Sequence, residues 1–152
     1  MRKLVIAAAL LAGFSFQPVS QTALAHEPGT YESPIVESRV KRFKQSGGDI
    51  QAIFKKHLGA GNFAAIQDAA ARMAAWGDDM PDAFPADSNS IGADKAIWKN
   101  FSDFEAKAQV FGDAARALKA AAASGDAGAT KKAAQMVGAS CKSCHESYRI
   151  KH

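Results

Sequence analysis

The sequence predicts an all-α fold, an antiparallel four-helix bundle. Two observations carry this. In four segments the apolar residues recur at alternating steps of three and four, which lays a continuous seam along one side of a helix. No segment shows the two-residue alternation of a half-buried strand, and glycine, proline and asparagine clusters separate the four segments. A length of 152 residues suits one domain with a core of its own.

The first helix starts at Ser33-Pro34, a hydroxyl N-cap followed by a proline in the first turn. Its seam is Val36, Val40, Phe43, Gly47, Ile50, Phe54 and then His57 or Leu58. Gly47 and Gly48 stand mid-helix, where each costs about 1 kcal/mol against alanine, so a pair there implies that something bulky comes close. Gly59 and Gly61 end the element. The second helix opens on Asn62 as cap, carries Phe63, Ile66, Ala70, Met73 and Gly77 with Trp76 beside them, and stops before Asp78-Asp79-Met80-Pro81. Residues 79–92 read as an ordered crossover loop from which Phe84 tucks inward. The third helix keeps its seam through Ile97, Phe101, Phe104, Ala108, Phe111, Ala115, Leu118 and Ala122, and Ser124-Gly125-Asp126 breaks it. The last runs from about Ala129 to Ile150, with Ala134, Val137, Cys141, Cys144 and Tyr148 on one face. Together these helices make a bundle.

The start of the chain has the pattern of an export signal. Arg2 and Lys3 precede an apolar run from Leu4 to Phe16, and Ala23-Leu24-Ala25 supplies small residues for cleavage after Ala25. The expected organisation is a cleaved signal peptide over 1–25, a flexible leader over 26–33 and the bundle over 34–152. A retained anchor is the alternative, but the run is short for a membrane span and nothing later supplies one. The formal charge of +4 falls by the two basic residues of the signal. No basic block with interleaved aromatics argues for nucleic acid.

Two cysteines sit three apart near the carboxyl end, in C-K-S-C-H-E-S-Y-R. A disulfide between them would close a tiny loop and stabilise little. Cys141 to His145 instead follows C-x-x-C-H, the pattern of covalent haem attachment. Thiols at i and i+3 leave one side of a helix and can each add to a vinyl group on neighbouring edges of a porphyrin. The histidine that follows can then bind the iron. The prediction is one haem c per chain, with Cys141 and Cys144 as attachment points and His145 as the metal ligand. Export agrees, since bacteria assemble thioether haem outside the cytoplasm, and the two propionates would bring the net charge near neutral. A redox dithiol remains an alternative, although it normally opens a helix beside a βαβ unit. A zinc site would need further ligands, and His26, His57 and His152 all lie outside motif spacing.

With these residues in view, the whole mature chain resembles the cytochrome c′ family: four helices, a haem motif near the carboxyl terminus, and a basic residue, Arg149, four after the histidine, with Tyr148 at an aromatic position. The first helix is similar too, with Arg39, then Phe43 four later, then Gly47-Gly48. Phe63 to Ala71 and Ala96-Ile97-Trp98 add to the likeness. The resemblance implies that Phe43 is the residue opposite the histidine, where low-spin members place a methionine. Phenylalanine has no lone pair, and no methionine occurs between Met1 and Met73. The implied iron has five ligands and a dry distal pocket open to NO or CO. On the residues alone, Phe43 is an ordinary seam phenylalanine. Met73 reads as packing and Met80 as part of the crossover loop, although either is an alternative sixth ligand.

The resemblance also implies that Arg39 pairs with a haem propionate; a solvated surface arginine is the plain alternative. Arg149, one turn after His145, would raise the reduction potential by its charge, or simply suit the helix C-terminus. The expected function is a periplasmic c-type cytochrome that transfers electrons to redox partner proteins, binds NO or CO, or does both. An enzyme reading is weaker, because no distal histidine–arginine pair is present to split a peroxide. A haem-free thiol–disulfide protein is the remaining alternative. The resemblance makes a homodimer through the first two helices possible, and composition leaves that open.

Overall fold

A computed structural model describes residues 33–150 except Asp87. The expected signal segment, the leader up to residue 32, and His152 lie outside the described residues. The four long helices are α1 (Pro34–Ala52), α2 (Phe63–Asp79), α4 (Phe101–Ala123) and α5 (Ala127–Tyr148), with a one-turn helix α3 (Ala96–Lys99) leading into α4. Among the described residues there is no strand, and a single isolated bridge joins Ala93 to Arg149. No described helix is long and apolar enough to cross a membrane.

The ends follow local chemistry. The Ser33 hydroxyl accepts from the Val36 N–H, the Asn62 amide oxygen from Ala65 N–H, and the Asp126 carboxylate from Ala129 N–H. Gly61 and Gly125 take positive φ values of 61° and 70°, the left-handed turns that let the chain reverse after α1 and after α4.

Three departures from the sequence reading have physical causes. After α1 the helix widens into a π turn over Ile53–His57, in which Leu58 N–H donates to Ile53 O. The seam therefore passes through Ile53, which is fully buried, while Phe54 is left 42% exposed. The second helix does not stop before Asp78 but runs on to Asp79, because Arg116 and Arg42 from neighbouring helices pair with Asp78 and Asp79 and compensate acids at a helix C-terminus. The third helix is broken at Asn100, whose φ and ψ of −128° and 50° are not helical; asparagine favours such breaks. Ile97 and Phe104 still reach the core across the break.

The core lies between α2, α4 and α5 and is built on Ile66, Met73, Trp76, Phe104, Leu118 and Val137. Gly77 and Gly112 let α2 and α4 touch backbone to backbone. Helix α1 closes over this layer less completely. Val36, Arg39 and Ile53 are buried, whereas Phe43, Ser46 and Ile50 are half-buried. Ion pairs from Arg72 to Asp49 and from Arg42 to Asp79 hold α1 to α2. The half-buried middle of α1 is where the bundle opens.

Candidate functional site

Helix α5 carries Cys141, Cys144 and His145 on consecutive turns, and all three border one cavity of about 140 Å³. Phe43, Gly47 and Ile50 of α1 face them, Met80 closes the end near α2, and Lys107 and Phe111 come from α4. Both thiols are free and half-buried. Burial pushes the Cys144 thiol up to about 11, with the Lys107 charge partly opposing it, and raises Cys141 as well. Neither sulfur is therefore a poised thiolate of the kind a redox dithiol uses. Partial desolvation, followed by the Arg149 charge, lowers the pKa of His145 and favours the neutral imidazole that can ligate a metal. Among the described residues no three His, Cys, Asp or Glu side chains gather as a metal site.

Phe43 meets His145 edge-to-face at 6.2 Å between ring centroids. The same ring packs on Trp76 at 5.1 Å and Phe84 at 6.3 Å, so its orientation is set from the core side.

The residues fit a flat apolar group. The wall is almost wholly apolar, and a Cβ added at Gly47 would meet nothing within 4 Å. Gly47 thus leaves open space beside the cysteines rather than serving a close helix contact. Next to Phe43, the Trp76 indole N–H is buried without an acceptor among the described residues. Such an orphan costs about 1–3 kcal/mol, and Trp76 does not itself line the cavity.

Arg39 stands elsewhere. It is 1% exposed, so the reading of a solvated surface arginine is wrong. Its guanidinium donates to Ala83 O, to both oxygens of Ser88 and to Ser90 Oγ, and lies 4.2 Å over the Phe84 ring. The residue clamps the crossover loop to α1 and does not line the cavity. Arg149 is the C-cap of α5, exposed, with its N–H donating to His145 O. Lys107 escaped the sequence reading because it belongs to no motif. Its signal was there: it lies three after Phe104 and four before Phe111, a core spacing occupied by a lysine.

Residues 34–149 match the family described as cytochrome c′. The chain is 36% identical over 124 residues to cytochrome c-556 of Agrobacterium fabrum, covering 80% of this chain and 84% of that one. Among solved structures, cytochrome c′ from Thermochromatium tepidum superposes with a TM-score of 0.70 at 30% identity, over 77% of this chain and 95% of that one. A nitric oxide complex of a cytochrome c prime variant from Alcaligenes xylosoxidans gives 0.68 at 26% identity, over 80% and 100%.

Proposed function

The chain belongs to the cytochrome c′ family of haem c proteins, and from that premise we infer that Cys141 and Cys144 hold the haem while His145 binds its iron. Each thiol would add across one vinyl group of the haem, its sulfur bonding one carbon and its proton passing to the other. When bound, the haem supplies a one-electron redox centre and an iron able to take a small gas. Phe43, which offers no lone pair, would give the iron no further protein ligand and would help its apolar neighbours keep water from the site. The protein then serves in the periplasm as an electron carrier to partner proteins, as a receptor for NO or CO, or as both. The nitric oxide complex of the Alcaligenes xylosoxidans relative supports the gas reading.

One observation carries this reading: two free thiols, the His145 imidazole and Phe43 converge on a single apolar cavity. Mass spectrometry of the mature protein, expressed with a cytochrome-maturation system, is expected to show one added porphyrin. That mass should be lost when both cysteines are replaced by alanine. The reduced protein is expected to show a broad high-spin band and to bind CO; failure to bind it would remove the open site.

A second reading has its own support. Met80 is 4% exposed and borders the same cavity as His145. Its thioether on the iron would make a low-spin carrier, and sharp split bands in the reduced spectrum would favour it.

A further inference from the structure

We propose that Lys107 sets the charge of the haem cavity, held in position by Asp103 and, through it, by Tyr148. This rests on haem attachment at Cys141, Cys144 and His145. Lys107 borders the cavity together with Cys144, His145 and Phe43, and among the described residues lining it only Lys107 bears a full positive charge. The Asp103 carboxylate lies 3.8 Å from its Nζ and accepts the Tyr148 hydroxyl at 2.6 Å. Tyr148 follows His145 by three residues on the same helix. The lysine is thereby tied to the helix that carries the cofactor.

The two charges are screened unequally. The Lys107 side chain is 25% exposed and that of Asp103 is 58% exposed. Water therefore weakens the carboxylate more than the ammonium, and the net field at the cavity is positive. Gaining one electron makes the cofactor more negative, so a nearby cation favours its reduced state and a nearby anion opposes it. Lys107 raises the reduction potential, and Asp103 tempers the rise while aiming the lysine.

The test uses holoprotein with the haem mass and visible spectrum verified for each variant, followed by potentiometric titration with mediators. Lys107→Gln keeps most of the stem and removes the charge. It is expected to lower the reduction equilibrium constant by about tenfold, about 59 mV for a one-electron couple. Asp103→Asn retains an acceptor for Tyr148 and should move the potential upward, by a smaller amount. Lys107→Arg should restore the wild-type value. A packing role alone would not give shifts of opposite sign. Potentials that stay put, or that move the same way in Lys107→Gln and Asp103→Asn, overturn the proposal. A wild-type protein that carries no haem overturns the attachment reading itself, and this inference with it.

Discussion

Tyr148 of α5 donates its phenolic proton to Asp103 of α4 at 2.6 Å, across the interface next to the cysteine motif. Burial, reinforced by that carboxylate, pushes the phenol up to about 12 from its ordinary 10.0. A raised folded-state value means that the folded chain keeps its proton where the unfolded chain loses it. The contribution is complete below pH 10 and is lost as pH climbs towards about 12. Urea unfolding across that window should show a decline in stability that Tyr148→Phe does not share. At neutral pH the same variant should cost about 1 kcal/mol, since Asp103 can turn to water. Equal slopes for the two proteins would remove this role for the pair.

Arg39 makes a different demand. Its guanidinium is buried against loop carbonyls and hydroxyls 44 to 51 residues away in sequence. Arg39→Leu leaves those carbonyls without their donors and is expected to cost about 3 kcal/mol by urea unfolding. Proteolysis within residues 85–90 should accelerate. Arg39→Lys should recover only part of the loss, because an ammonium cannot fork between two partners. An unchanged urea midpoint for Arg39→Leu would mean that the clamp contributes nothing.

Gly77 and Gly48 separate two reasons for glycine in a helix. A Cβ on Gly77 would lie 2.6 Å from Gly112 Cα, and backbone cannot give way as a flexible side chain does. Gly77→Ala should therefore destabilise by about 1–3 kcal/mol. At Gly48 a Cβ meets nothing within 4 Å, and alanine there should add up to about 1 kcal/mol through helix propensity. Thermal melts of the two variants are expected to move in opposite directions.

What could be read from the sequence was what nearest neighbours decide. Ser33 with Pro34, Asn62, and Gly125 with Asp126 place helix ends by hydrogen bonds spanning three residues. The haem motif is equally local. The π turn that buries Ile53 in place of Phe54 was hidden, since both residues fit a three–four seam and the packing of the whole bundle chooses between them. Arg39 was hidden for a related reason: its partners lie in the crossover loop, and nothing near residue 39 announces them. The position of Lys107 on the cavity needed α4 and α5 placed side by side.

Phe43 packs edge-to-face on His145 in the cavity wall, 6.2 Å between ring centroids, and the proposed open site turns on its lack of a lone pair. Methionine is unbranched and close to phenylalanine in volume, so Phe43→Met should fold with little loss. Its thioether would then reach into the space that the ring now fills. In holoprotein the reduced spectrum is expected to change from one broad band to sharp split bands. Ferrous affinity for CO should fall about tenfold or more, since the gas must compete with a sulfur that leaves the open state a minor fraction. If Met80 already occupies that position, the outcome reverses. The wild type would show the split bands, Phe43→Met would change little, and Met80→Leu would open the iron to CO. The pair of variants therefore assigns the sixth position to an empty face or to Met80 from the same two measurements.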